Sequence, residues 1–292
     1  MSKPELIVDA KNRLGESAMW HPREQRLYWI DARAPALYRL EADNSVTTIP
    51  LPTMAGAVVP RKSGGIAIAL QHGFHALDTA TRQLSFIADP EPELPDNRIN
   101  DGSCDRMGRF WAGTQHVTIR EPRGSLYRLD PDHSVRKMLE GITVTNMVRF
   151  SPDDRTLYYA DTYSDVMYAL DFSLADGTIS NRRVFVDTKS HPGHPDGSAV
   201  DSHGCLWNAE YGGSRVVRYT PQGKVDRIVE FPVLQPTSCC FGGSNLDTLY
   251  VTSATQRMDT AVLAQQPLAG GLFAVHVGVK GLPEAEYGAS CR

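Results

Sequence analysis

The chain has 292 residues and a formal net charge of −4, with no basic tract, which leaves no footprint for nucleic acid. No apolar run reaches the roughly 20 residues needed to span a bilayer, and residues 1–10 are polar and acidic with no signal-peptide core, so a cytoplasmic protein without a membrane role is expected. The cysteines (Cys104, Cys205, Cys239, Cys240 and Cys291) are odd in number and show no CxxC spacing, which argues against a disulfide framework or zinc knuckle and for reduced, mostly buried thiols.

In chain order, one short phrase recurs about six times. It is an apolar or aromatic block ending in small or polar residues: 27–31 (LYWID), 65–69 (GIAIA), 109–114 (RFWAGT), 156–162 (TLYYADT), 205–209 (CLWNA) and 248–252 (TLYVT). A second block follows each at short range, at 37–40, 74–77, 126–129, 167–170, 216–219 and 272–275, with the rough alternation of a half-buried antiparallel strand. Turn residues separate the strands, as at 131–132, 152–154, 175–177 and 221–223. A spacing of roughly 40 to 50 residues is the period of a β-propeller blade. The expected fold is therefore all-β, a β-propeller forming a single domain over residues 1–292.

Four polar clusters do not fit the strand pattern and read as short turns or loops. Leu14-Gly15-Glu16-Ser17 places a carboxylate before the first block. Residues 97–102 put Arg98, Asn100 and Asp101 in one loop. Thr145-Asn146-Met147 supplies an amide, and His194-Pro195-Asp196-Gly197 a second carboxylate. Each cluster precedes its blade's main block by about 10 residues, and equivalent positions of a radial repeat lie on one ring. Glu16, Asn100, Asn146 and Asp196 are thus expected to meet at one mouth of the central channel. Two carboxylates and an amide oxygen are hard ligands that suit a divalent cation with positions left open. Taken singly, Pro-Asp-Gly and Asn-Asp-Gly are ordinary turns; their shared place in the repeat carries the argument. There is no nucleophile elbow and no P-loop, and Ser198 has no histidine beside it to form a triad.

On these residues the chain resembles the SMP-30/gluconolactonase/LRE-like family, which includes regucalcin and bacterial sugar lactonases. The matching motifs run in order through nearly the whole chain: Arg13-Leu14-Gly15-Glu16, Arg98-Ile99-Asn100-Asp101-Gly102, 108–114, Thr145-Asn146, Ser151-Pro152-Asp153, 157–162, Pro195-Asp196-Gly197, 235–239 and 249–254. The resemblance implies a six-bladed propeller with one catalytic divalent metal (calcium, zinc, manganese, iron(II) or magnesium) on its axis. It implies Glu16, Asn146 and Asp196 as metal ligands, Asp196 also as general base, and Arg98 and Asn100 as residues that hold the sugar hydroxyls and the lactone. It implies hydrolysis of an aldonolactone, with a 1,4-lactone such as L-arabinono- or galactono-1,4-lactone expected, in a monomer or weak dimer.

The chain departs from the family pattern at several positions. Met147 stands where the family often has Gly, and it either narrows the space beside the metal or marks a different backbone shape. Ser103 replaces a common Lys. Glu210 reads as a solvated loop charge, while Tyr211 beside it is a possible substrate contact. His116 is a further candidate for the pocket, and His191 and His194 read as loop histidines. Two other function classes fit the sequence: a hydrolase of phosphotriesters or other esters, and a metal- or ligand-binding propeller without catalysis.

Overall fold

The computed structural model describes residues 3–119 and 121–289; Cys291 lies outside them. The strands of the described residues form six four-stranded antiparallel sheets. The chain opens with β1 (Glu5–Val8). Blade 1 follows as β2 (Gly15–His21), β3 (Arg26–Asp31), β4 (Ala36–Leu40) and β5 (Val46–Pro50). Blade 2 is β6 (Ala55–Pro60), β7 (Ile66–Leu70), β8 (Gly73–Leu77) and β9 (Leu84–Ala88). Blade 3 is β10 (Asn97–Cys104), β11 (Phe110–His116), β12 (Gly124–Leu129) and β13 (Val135–Ile142). Blade 4 is β14 (Thr145–Phe150), β15 (Thr156–Asp161), β16 (Val166–Ser173) and β17 (Thr178–Asp187). Blade 5 is β18 (His194–Val200), β19 (Leu206–Tyr211), β20 (Arg215–Tyr219) and β21 (Val225–Glu230). Blade 6 is β22 (Pro236–Gly242), β23 (Thr248–Ser253), β24 (Leu272–His276) and, as its outermost strand, β1. The first strands of the six blades touch in cyclic order around the axis. The fold is thus a six-bladed β-propeller closed by its own amino-terminal strand, which pairs with β24 and completes blade 6 as its fourth strand. No helix of the described residues is long and apolar enough to cross a membrane.

The two recurring blocks are the second and third strands of each blade. The second strands are apolar on both faces because each blade is sandwiched between two others, while the third strands mix apolar and polar residues. Within β3, Leu27 and Trp29 pack toward blade 6, while Tyr28 and Ile30 pack toward blade 2. Apolar clusters fill all six blade–blade interfaces, and Trp29, Trp111 and Trp207 are fully buried in them. Close interdigitation of this kind fixes the angular position of every inner strand, and so of whatever the inner strands carry toward the axis.

Buried aspartates pin the hairpins at the end of the ring opposite the polar clusters. In blade 5, Asp201 accepts the His203 and Cys205 backbone N–H groups through one carboxylate oxygen. The other accepts Trp207 Nε1 at 2.9 Å and Arg218 Nε at 2.8 Å. In blade 3, Asp105 does the same for Arg109 and Trp111. Asp201 is wholly inaccessible, so removing it leaves the Trp207 indole N–H without its acceptor and the buried Arg218 guanidinium with Asp226 as its only carboxylate among the described residues. Asp201→Ala should destabilise the protein by about 3–5 kcal/mol. The expected readout is an unfolding midpoint lower by roughly 10 °C in a thermal melt; an unchanged midpoint would discard the pin.

The carboxy-terminal segment crosses this same end. Gly281 bridges Asp201, and Tyr287 bridges Arg61 of blade 2. Glu284 lines a small cavity there of about 70 Å³ with Arg149 and Ser103.

Candidate functional site

The polar clusters are not loops. Each lies on the innermost strand of its blade: Glu16 on β2, Arg98 and Asn100 on β10, Asn146 on β14 and Asp196 on β18. The turn-like composition has a different cause. The pairing of every inner strand with its neighbour slips at this level, between Glu16 and Met19, Ile99 and Asp101, Asn146 and Arg149, and Pro195 and Ser198 in the four blades concerned. A bulge lets a strand re-aim one side chain out of the pleat. Ser17 (φ 49°) and Met147 (φ 61°) take the left-handed conformation immediately after Glu16 and Asn146. Gly197 follows Asp196 because a Cβ there would lie 2.6 Å from Ser238 Oγ on β22.

The five residues line one cavity of about 420 Å³ at the mouth where the inner strands begin. Two buried carboxylates hold the approach to it. Asp31, at the end of β3, accepts the Arg13 and Leu14 N–H groups just before Glu16. Asp161, at the end of β15, accepts the Thr143 and Val144 N–H groups just before Asn146. A chain of hydrogen bonds then links three blades. Arg98 Nη2 donates to Asn100 Oδ1 at 2.7 Å, and Asn100 Nδ2 donates to Asn146 Oδ1 at 3.1 Å. Asn146 Nδ2 donates to Thr162 Oγ1, whose own proton goes to the Pro195 carbonyl. Because Thr162 spends its proton on Pro195, it can only accept from Asn146, which fixes the amide with Nδ2 outward and Oδ1 toward Asn100.

Glu16 and Asp196 have no ion-pair partner within salt-bridge distance among the described residues. Burial pushes the Glu16 carboxyl well above its ordinary range, and the Asp196 and Asp101 charges push it further; Arg98 offsets part of this. Asp196 is likewise raised, by burial and then by Asp101, against a hydrogen bond from the Gly197 N–H. Arg98 is itself lowered to about 10, chiefly by burial and next by the neighbouring Arg33. Burial, followed by the Asp196 charge, raises the Tyr211 hydroxyl to about 12, so it stays a donor. Two mutually repelling carboxylates, Asp196 buried and Glu16 half-buried, with no salt-bridged partner among the described residues and beside an oriented amide, match the hard donor set of a divalent cation. No three of His, Cys, Asp and Glu gather into such a group among the described residues, so the third protein oxygen would be the Asn146 amide.

Several residues sit elsewhere than their sequence context implies. Met147 is fully buried among Tyr158, Ala160 and Tyr219 at the blade 4–blade 5 interface, so it does not narrow the cavity; it only keeps the left-handed turn. Ser103 lies at the opposite end, donating to the Val148 carbonyl. Glu210 is not a solvated loop charge: it is fully buried on β19, where His191 Nδ1, Arg215 Nε and the Tyr219 hydroxyl surround its carboxylate. Strand alternation sends Glu210 into the blade and the next residue, Tyr211, to the cavity. His116 turns away onto Thr118, and Gln115 takes its place in the wall with its buried Nε2 unpartnered. His194 reaches the rim and pairs with Asp165 at 2.6 Å. The walls also include Arg33, Tyr163 and Arg257, none singled out by sequence. Their signal was positional: each follows its blade's main block, at the same mouth as the inner-strand starts.

A family model described as SMP-30/Gluconolactonase/LRE-like region matches residues 14–255. The chain belongs to this SMP-30/gluconolactonase family. Regucalcin of Xenopus laevis is 37% identical over 288 residues, covering 96% of both chains. A 6-deoxy-6-sulfogluconolactonase of Pseudomonas putida is 38% identical over 281 residues, covering 95% of this chain and 96% of that one. The crystal structure of a calcium-binding regucalcin from Agrobacterium tumefaciens superposes with a TM-score of 0.94 at 30% identity, over 98% and 97% of the two chains. Membership of the SMP-30/gluconolactonase family supports hydrolysis of a sugar lactone, a carboxylic ester hydrolase activity.

Proposed function

We propose that the protein hydrolyses an aldonolactone at the 420 Å³ mouth, with one divalent cation held by Glu16, Asn146 and Asp196. The observation that carries this reading is the Glu16–Asp196 pair of carboxylates, half-buried and buried, left without a salt-bridge partner among the described residues beside a fixed amide oxygen. When bound, the cation supplies Lewis-acid polarisation of the lactone carbonyl. Asp196 takes the proton of the attacking water and returns it to the ring oxygen as the ester bond opens. Arg98 and Asn100, tied to each other and to blade 4, orient the sugar hydroxyls. Tyr211 and Gln115 offer further donors in the walls, and the exposed ring of Tyr163 gives the rim an apolar face. The relatives support the same reading from two sides, since one is named a lactonase and another a calcium-binding protein. Calcium is accordingly the first cation to test, followed by zinc, manganese, iron(II) and magnesium. Neutral 1,4-lactones such as L-arabinono- and galactono-1,4-lactone are natural first substrates.

Proton release from a panel of 1,4- and 1,5-aldonolactones, with chelated protein and each cation restored in turn, is the direct test. Hydrolysis of a lactone that depends on one added cation is expected. Cation binding with no hydrolysis across the panel would instead favour a binding propeller. Faster turnover of a phosphotriester than of any lactone would reassign the ester class.

A further inference from the structure

The cavity carries more positive charge than a neutral sugar needs. Arg33 enters it from the loop between β3 and β4 of blade 1, and Arg257 from the segment after β23 of blade 6. Neither guanidinium has a carboxylate within salt-bridge distance among the described residues. The one side-chain partner of Arg33 there is the Met54 thioether, 3.7 Å from Nη1, a weak acceptor beside blade 2. Arg257 is exposed, yet its loop is anchored: the Thr255 and Gln256 N–H groups donate to the Asn12 and Arg13 carbonyls. Both arginines act electrostatically on buried Arg98 as like charges, so three guanidiniums converge on one small cavity. The acids on its floor are Glu16 and Asp196, and a cation bound there would take up both. Arg33 and Arg257 would then face the ligand with no acid to neutralise them.

We propose that the cavity takes a lactone bearing a terminal oxyanion, with Arg33 and Arg257 forming the subsite for that group. A planar guanidinium fork matches a carboxylate, sulfonate or phosphate bidentately. The two arginines stand on adjacent blades, 1 and 6, on the Glu16 side of the mouth. The charged tail of the substrate binds there while its carbonyl lies over Glu16, Asn146 and Asp196. This rests on the lactonase reading and narrows it from neutral aldonolactones to acidic ones.

Three lactones separate the possibilities: D-glucono-1,5-lactone (neutral), D-glucaro-1,4-lactone (carboxylate) and 6-phospho-D-glucono-1,5-lactone (phosphate). Wild-type kcat/KM is expected to be at least about tenfold higher on one of the charged lactones than on the neutral one, and which one names the oxyanion. Each charge-assisted pair is worth roughly a factor of ten or more. The double variant Arg33→Gln/Arg257→Gln should therefore lose about 100-fold on that charged lactone, mainly through KM, and at least tenfold less on the neutral one. Equal preference in wild type, or equal loss on both lactones, overturns the subsite while leaving the lactonase reading intact. Calorimetric binding of sorbitol 6-phosphate against sorbitol to chelated protein gives a readout free of catalysis. Tighter binding of the phosphate, abolished in the double variant, supports the subsite. No difference between the two ligands overturns it. Hydrolysis of none of the lactones by the cation-loaded enzyme overturns the lactonase reading, whatever the calorimetry gives.

Discussion

Asp196→Asn should lower lactone turnover by about 10²–10⁴-fold, the usual contribution of a general base, and yet raise the thermal midpoint of the metal-free protein. Both effects come from the same carboxylate. Asp196 is buried, its charge is the largest influence raising Glu16 after burial itself, and Arg98 offsets only part of the cost for either group. Replacing it with an isosteric amide removes the proposed proton acceptor and one member of a repelling pair together. A site arranged to hold charge for function destabilises the fold that carries it. The check is a kinetic assay beside thermal melts in chelator at about pH 8 and about pH 4. Wild-type-like turnover would remove Asp196 from the chemistry. A midpoint lower in Asp196→Asn than in the wild type at the higher pH would show the carboxylate to be structurally supported rather than strained.

The second large effect is on cation affinity and its pH dependence. Glu16 and Asp196 have folded-state pKa values raised above their ordinary ones, so in the window between the two values the folded metal-free protein binds more protons than the unfolded chain. The stability linked to these groups is therefore fully present below the ordinary carboxylate range. It is lost as pH rises through their raised values. A divalent cation reverses the slope, because it binds only the ionised pair and must displace their protons. On the acid side of the raised values, apparent affinity should fall by up to about 100-fold per pH unit, two protons being released per ion. In Glu16→Gln one proton remains, so the slope should halve while affinity drops across the whole range. Isothermal titration with calcium at several pH values measures both. A pH-independent constant, or an unchanged one in Glu16→Gln, would place the ion elsewhere.

The central positions of the fold were legible because the physics that makes them is local and repeated. A strand buried on both faces between neighbouring blades must be apolar throughout, so 27–31 and its counterparts announce themselves six times over. The inner strands were misread for the opposite reason. At the axis a strand meets the channel rather than another apolar layer, and the bulges at Glu16, Asn100, Asn146 and Asp196 demand Gly, Asn and left-handed residues that look like turns. The outer strands, such as β13 and β17, are half-solvated and carry little signal. Closure of blade 6 by β1 pairs segments at opposite ends of the chain.

For the site, residue identity and place in the repeat were enough to bring Glu16, Asn100, Asn146 and Asp196 to one mouth, because a radial fold converts sequence period into angular position. Which neighbours share that mouth was decided by strand alternation and by packing between blades. Alternation puts Gln115 rather than His116 in the wall, and Tyr211 rather than Glu210. The left-handed turn at Met147 sends its side chain into the apolar seam between blades 4 and 5. Arg33 and Arg257 lie far apart in sequence and stand over the cavity only because the ring closes blade 6 against blade 1. Reading residues in order was enough for the repeat and for the polar residues that meet at the mouth, since each depends on one short segment. The tertiary structure alone decided the charge and shape of the pocket, since these depend on side chains from separate blades meeting across the ring.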